Sequence, residues 1–137
     1  MTLDNLTRIG QLKPEPRNLA EVQRLLAMAQ TRLADAQLPS LSLEGRFTSA
    51  YNAAHAAALA ALRWHGWRSE NRYTVFQCLP YTLGWQAVQW RVLDSAHRAR
   101  NLAEYEGYLE IDVAQVDALC QSATLLIADV QRLLAQR

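Results

Sequence analysis

Apolar residues recur every three or four positions along much of the chain, which is the spacing of the buried face of an amphipathic α-helix. The first such segment follows Asn18, and Glu21 three residues later completes a capping-box spacing with Asn as the cap. We therefore predict a first helix from Asn18 to just before Pro39. Its apolar stripe consists of Leu19, Val22, Leu25, Leu26, Ala29, Leu33 and Ala36.

The second predicted helix runs from Ser42 or Leu43 to Trp64, and Gly66 follows it as a stop signal. Residues 50–62 are apolar almost all round and consist largely of alanine. This composition is typical of a central helix that several neighbours approach closely. A shorter third helix is expected over about residues 72–79.

Pro80 and Gly84 bend the chain before a fourth helix over about residues 85–106, which Gly107 ends. On a wheel of about 100° per residue, its predicted core side carries Val88, Val92, Ala96, Ala99 and Ala103. The residues that flank that side, most of them polar, are Arg91, Asp94, Arg98, Leu102 and Tyr105. Another side is lined by Trp90, His97, Asn101, Glu104 and Tyr108. Such a polar concentration indicates either a solvated surface or a functional site.

Asp112 and Gln115 give the fifth predicted helix a capping-box start, and an apolar stripe continues from Val116 to the C-terminus. Before the first helix, residues 13–16 (Lys-Pro-Glu-Pro) resist helix formation, so residues 1–17 are expected to form an arm or a lead-in turn. The sequence thus predicts an all-α fold, a single five-helix antiparallel bundle-like domain over residues 18–137.

Composition agrees with this fold class. Alanine and leucine, 22 of each, supply about a third of the 137 residues, whereas 5 Gly and 4 Pro are too few for the turns of a many-stranded sandwich or barrel. A net charge of +1 gives no reason to expect a large electrostatic field. Thirteen of the 14 basic residues are Arg, which suits phosphate contacts, although genome base composition explains the bias at least as well.

The chain is expected to be cytoplasmic. Its first ten residues lack the apolar core and cleavage site of a secretory signal. Residues 47–62, a stretch without formal charge before the final helix, are too short and too polar to span a bilayer, so no membrane association is expected. Cys78 and Cys120 are interpreted as buried, reduced thiols because they lie inside apolar helical patterns.

Several site classes are excluded by their missing motifs. The glycines are isolated, so the chain has no mononucleotide-binding loop, dinucleotide fold or nucleophile elbow. His55, His65 and His97 lack the spacing of helix-borne metal ligands, and we expect neither a metal nor another cofactor. His55 is interpreted as a packed histidine with one satisfied hydrogen bond.

Four tryptophans lie near predicted helix ends, at Trp64, Trp67, Trp85 and Trp90. Such rings can stack on bases, but large amphipathic side chains more often close a bundle or form a subunit interface. We favour packing or a dimer interface.

The strongest chemical pattern lies within residues 93–107. Arg98, Arg100 and Asn101 would place cationic and amide donors on the fourth helix, with His97 nearby. A histidine can move a proton at the 2′-hydroxyl or leaving group of RNA, and an arginine can stabilise charge growing on the phosphate. The alternative is an exposed helix on which Asp94 and Arg98 form an ordinary i,i+4 ion pair.

Two segments share a pattern with a known family: Arg46-Phe-x-x-Ala-Tyr-Asn-Ala-Ala-His55 on the second helix, followed by a glycine after that helix, and Ala96-His-Arg-Ala-Arg100-Asn101 on the fourth. Through these motifs, over roughly residues 18–135, the chain resembles the HEPN superfamily of small all-helical prokaryotic domains. The resemblance implies a bundle that dimerises and a place in a toxin-antitoxin or phage-defence module. It also implies RNA cleavage by an Arg followed, after four to six residues, by a His.

The family pattern is incomplete in this chain. Arg100 and Asn101 match the family's Arg and the polar residue after it, but Tyr105 stands where the His would fall. Tyrosine does not shuttle protons near pH 7 without a large pKa shift.

A second register pairs Arg91 with His97, with Asp94 midway between them. Arg91 and His97 lie about 120° apart on the helical wheel. They are therefore poorly aimed within one chain and would meet only across a dimer.

We therefore predict a cytoplasmic HEPN-like homodimer, joined through its fourth helix, that binds RNA or a nucleotide phosphate through Arg98, Arg100, Asn101 and Tyr105. Nuclease activity is expected to be weak or lost, and the expected partner is a cognate antitoxin of the nucleotidyltransferase type. One alternative is a metal-independent endoribonuclease toxin that uses Arg91 and His97 across the dimer. The other is a helical scaffold without chemistry.

Overall fold

The computed structural model describes residues 3–8 and 10–136 and confirms the all-α class. In chain order its elements are α1 (Leu3–Arg8), β1 (Lys13–Pro14), α2 (Leu19–Ala36), α3 (Leu43–Trp64), β2 (Trp67–Arg68), α4 (Arg72–Gln77), α5 (Leu79–Thr82), α6 (Ala87–Glu106) and α7 (Val113–Ala135). The two short strands pair antiparallel, with Lys13 opposite Arg68 and Pro14 opposite Trp67.

The helix starts predicted from capping residues are confirmed. The Asn18 side chain accepts a hydrogen bond from the Glu21 amide at 3.1 Å. Asp112 and Gln115 exchange both bonds of a capping box, at 2.8 and 2.7 Å. Ser42 caps α3 with one bond, in which its side chain accepts from the Gly45 amide. Each cap satisfies an amide that no helical carbonyl reaches.

Helix α3 is the central helix, as its composition predicts, and it packs against α2, α7 and α4. Its buried alanines are Ala50, Ala53, Ala54, Ala56, Ala57, Ala58, Ala60 and Ala61. Because alanine carries no atom beyond Cβ, the neighbouring helices lie close against this surface. Val22 and Leu26 of α2, with Leu119, Leu126 and Val130 of α7, continue the core.

Helix α7 is long and apolar enough, by length and composition alone, to cross a membrane, with a mean hydropathy of 1.3. In the structure its buried face runs from Val116 to Val130 and packs against α3 and α2. Core packing therefore accounts for part of its hydropathy.

Residues 12–16, which precede α2, pack on the bundle. Leu12 is buried in the core. Arg63, only 1% exposed, donates to the carbonyl oxygens of Glu15 and Pro16 at 3.0 and 2.8 Å. It also donates to the carboxylate of Glu21 at 2.6 Å. Since these contacts join residues far apart along the chain, no local pattern predicts them.

The helix is interrupted at Cys78, which lies between α4 and α5, so the third helix ends earlier than predicted. Pro80 lies in the first turn of α5, where its missing amide costs no helical hydrogen bond.

The predicted core side of α6 is wrong at Val88, which is 69% exposed. The other four predicted positions are buried or half-buried, whereas the fully buried apolar side chain of α6 is Leu93. Leu93 and Trp90 carry more apolar surface than the alanines of the predicted stripe. Their packing rotates the buried face of the helix away from Val88.

The tryptophans Trp64, Trp67, Trp85 and Trp90 are all buried or half-buried against the core, in agreement with the packing interpretation. The indole nitrogen of Trp85 donates to Asp129 at 2.8 Å. That of Trp90 donates to the carbonyl oxygen of Phe76 at 2.8 Å and ties α6 to α4. A role of these rings in a dimer stays a prediction.

Candidate functional site

A polar cluster lies where α3, α4 and α6 meet, and we call it the Tyr51 cluster. It consists of Tyr51 from α3, Arg72 from α4, and His97, Arg100 and Asn101 from α6. His97 links the helices, because its Nδ1 atom lies 3.0 Å from the Tyr51 hydroxyl and its Nε2 atom 3.1 Å from the Asn101 amide nitrogen.

His97 is held in its neutral form. Burial lowers its pKa, and the positive charge of Arg100 lowers the pKa further, against the opposing effect of Asp94. A neutral imidazole has one N–H and one lone pair. With the Asn101 amide donating to Nε2, the network assigns the proton to Nδ1, which donates to the Tyr51 hydroxyl.

Two cations flank the buried ring of Tyr51. The Cζ atoms of Arg72 and Arg100 lie 5.6 and 5.4 Å from its centroid. The ring also packs edge-on against Phe76, at 5.7 Å between centroids. Burial raises the pKa of Tyr51 in spite of the two guanidinium groups, so the phenol is neutral at pH 7.

The positive charge of the Tyr51 cluster is only partly compensated. Arg100 pairs with the exposed Glu104 at 3.3 Å. Half-buried Arg72 donates to the amide oxygen of Asn52 at 3.2 Å, and within residues 3–8 and 10–136 it has no carboxylate in ion-pair range. A half-buried guanidinium without a counter-ion is suited to an anionic ligand.

The structure brings together three of the predicted site residues, His97, Arg100 and Asn101. Tyr105 does not belong to the Tyr51 cluster, because it is 82% exposed. Arg98 also points elsewhere, since its side chain is 78% exposed and pairs with Asp94 at 3.1 Å. For that pair the alternative interpretation, an ordinary ion pair along the helix, describes the geometry.

Arg91 lies on another side of α6, away from His97. It is exposed and lines an apolar groove of about 240 Å³ between α6 and α7. His97 instead contacts α3 and the Tyr73 ring of α4, at 5.0 Å between centroids. One chain therefore does not assemble the pair of Arg91 and His97.

His55 lies beside the Tyr51 cluster, one helical turn after Tyr51. Its ring packs edge-on against Phe76 at 6.1 Å. Burial, together with the charges of Arg72 and Arg100, lowers the pKa of His55 to about 4. The hydrogen bond expected for this histidine does not form with any residue that the structure describes.

The sequence contains a signal for part of this site. Tyr51, Asn52 and His55 interrupt a run of alanines at positions that share one face of α3. Arg72 has no comparable signal, because it lies on a separate short helix. Arg46, the first residue of the family-like segment, is not part of the Tyr51 cluster and donates to the Ala36 carbonyl oxygen at 2.8 Å.

The arrangement offers an anion the guanidinium groups of Arg72 and Arg100, together with neutral hydrogen-bonding groups that can orient it. Proton transfer by His97 would require one of its two hydrogen bonds to open first. In the described part of the chain, no three His, Cys, Asp or Glu side chains group together as metal ligands.

In comparisons with known proteins, the chain matches no family model and no curated protein. The HEPN resemblance therefore rests on the motifs quoted above.

Proposed function

We propose that this protein is an HEPN-like member of a toxin-antitoxin or defence module that binds RNA phosphate at the Tyr51 cluster and cleaves RNA weakly or not at all. The observation that carries the binding proposal is the uncompensated guanidinium of Arg72 beside that of Arg100. The assignment to a module follows from the family resemblance.

Phosphate fits this cluster chemically. Guanidinium groups are planar, stay charged at all relevant pH values and donate in pairs to phosphate oxygens. The partial burial of Arg72 and Arg100 strengthens such bonds relative to those of a fully solvated arginine.

Weak cleavage follows from the hydrogen bonds of His97. A general base needs a lone pair within reach of the 2′-hydroxyl, whereas both ring nitrogens of His97 are engaged by Tyr51 and Asn101. The exposed Tyr105 supplies no second acid or base to the cluster.

The test is binding of a short single-stranded oligoribonucleotide, measured by fluorescence anisotropy at low salt. Arg72→Gln and Arg100→Ala should each weaken binding by about tenfold, the scale of a charge-assisted hydrogen bond. They should also reduce the salt dependence of the affinity. Competition by a nucleoside monophosphate distinguishes a site for free nucleotides from a site for RNA.

Arg24→Gln is the matched control, because Arg24 is an exposed arginine on α2 that is not a member of the Tyr51 cluster. It should bind RNA like the wild type. Equal binding by the wild type, Arg72→Gln and Arg100→Ala would reject the site.

Endoribonuclease activity is the second candidate, favoured by the neutral His97, since a neutral imidazole is the form that accepts a proton. Across a dimer, the exposed Arg91 of one chain would act with His97 of the other. His97→Ala should then abolish RNA cleavage while the circular dichroism spectrum stays unchanged. Purified wild-type protein that leaves structured and single-stranded RNA intact would remove this candidate.

We also propose a homodimer through α6, with an antitoxin of the nucleotidyltransferase type as cognate partner. Exposed Val88 and the apolar groove beside Arg91 support an interface on this helix. Light scattering should give about twice the chain mass of 15.5 kDa, and Val88→Asp should halve it. A wild-type monomer at high protein concentration would contradict the dimer.

A further inference from the structure

A pocket of about 340 Å³ adjoins the Tyr51 cluster on the surface between α2 and α3. Its apolar walls include Leu25, Met28 and Leu59. Asn52, His55 and Arg72 form one polar edge, and Arg32, which pairs with Asp35, also lines the pocket. Arg72 thus belongs both to this pocket and to the Tyr51 cluster.

The polar edge offers donors and an acceptor that no other described residue uses. The neutral ring of His55 has one N–H and one lone pair, and neither is hydrogen-bonded within the part of the chain that the structure describes. Asn52 gives its amide oxygen to Arg72, which leaves its amide nitrogen as a donor. Both side chains are half-buried and hold fixed positions on one face of α3.

The apolar walls suit the face of a flat ring. Leu25 and Leu59 are half-buried and supply aliphatic surface, and Met28 lies 52% exposed at the rim. A thioether adapts to irregular contacts and packs well against aromatic rings. A flat heterocycle with donors and acceptors on its edge therefore matches both sides of the pocket.

We propose that this pocket, named the base pocket, binds one unstacked nucleobase of single-stranded RNA, next to the phosphate held by Arg72 and Arg100. The inference rests on the proposed phosphate site. Because Arg72 lines both places, a base and a phosphate of the same strand can occupy them together, as sequence-specific RNA readers commonly arrange.

The test compares two ligands of equal length and charge, an oligoribonucleotide and a fully abasic ribose-phosphate oligomer. Wild-type protein should bind the base-bearing strand about tenfold more tightly, which is the scale of one stacked base. His55→Leu should remove most of this preference and leave the affinity for the abasic oligomer unchanged.

Met28→Ala is the second variant, because its exposed side chain is not required for folding, and it should lower the preference by a smaller factor. Leu125→Ala, an equally exposed position on α7, is the matched control and should keep the wild-type preference. Equal wild-type affinity for both ligands, combined with loss of binding in Arg100→Ala, would overturn the base pocket while the phosphate site stands. Absence of binding to either ligand would overturn both.

Discussion

At the scale of single residues, the site depends on keeping His97 neutral between two neutral partners. Burial and the charge of Arg100 lower its pKa, so its ring should titrate below the ordinary value of 6.5 in an NMR titration. Arg100→Ala should move the titration midpoint upward, because it removes a nearby positive charge. Arg24→Gln serves as the control, and an unchanged midpoint in Arg100→Ala would show that Arg100 does not act on the ring.

The two cysteines are a second test at this scale. Burial raises the pKa of Cys78 from 9.0 to about 12 and also raises the pKa of Cys120. At pH 8 the thiolate fraction of Cys78 is then about a thousandfold lower than for an ordinary thiol. Both thiols should react with a maleimide reagent far more slowly in the native protein than in urea, and rapid native labelling would contradict the packing.

His97, Arg100 and Asn101 could be selected from the sequence because they share one helix, so their relative positions follow from helix geometry. Arg72 could not be selected in this way, and the contact of Tyr51 with His97 could not be predicted, because α3 and α4 reach the site only when they pack against α6. The exclusion of Tyr105 from the site has the same origin: the family spacing places it one turn beyond Asn101, but no residue that the structure describes packs over that end of α6 to bury it.

At the scale of elements, the carboxylate of Glu21 fixes the start of α2 to the end of α3. Its partners are Arg63 and Arg68. Glu21→Gln would leave buried Arg63 with its carbonyl hydrogen bonds and with the carboxylate of Glu15, at 3.3 Å, as its remaining counter-ion. We expect a loss of about 3 kcal/mol in the free energy of unfolding, measured in urea.

Asp35→Asn is the control for this substitution. It breaks an exposed pair with Arg32 on the same helix, whose net contribution should be well below about 1 kcal/mol. If the two variants lost equal stability, the Arg63 network would not stabilise the fold more than a surface pair does.

Helix ends were more predictable than helix faces. Asn18 and Asp112 accept hydrogen bonds from amides three residues further along the chain, so the local sequence is enough to predict these caps. The buried side of α6 depends on contacts with α4 and α7. The helical wheel placed the centre of the buried side among small alanines and wrongly included Val88, which is exposed.

At the scale of the whole molecule, stability should fall in acid in two steps. The folded state keeps His55 neutral because burial lowers its pKa to about 4, whereas the unfolded chain protonates near 6.5. The unfolded state therefore binds more protons between these values, and stability falls as pH drops through this window by about 3 kcal/mol. Above about pH 6.5 this contribution is fully present.

The second step lies below the first. Burial would raise the pKa of Glu21, but hydrogen bonds from Arg68 and Arg63 outweigh burial and lower the pKa from 4.5. The stability that the paired carboxylate provides is thus present above pH 4.5 and lost below it. His55→Leu should make urea-unfolding stability depend less steeply on pH between 6.5 and 4, with the smaller dependence due to His97 remaining. Glu21→Gln should reduce the pH dependence only below 4.5, and the reverse assignment would contradict the two causes.

Helix α6 carries three residues of the Tyr51 cluster, yet Leu93 and Ala96 are the buried members of its 20 residues, compared with 12 of 22 in α3. Amide protection against hydrogen exchange should follow this difference, with α6 opening more readily than the core formed by α2, α3 and α7. An anion bound to both Arg72 and Arg100 would join α6 to α4, and exchange along α6 should slow on binding. The helix that supplies most of the cluster would then also be the one whose dynamics report its occupancy.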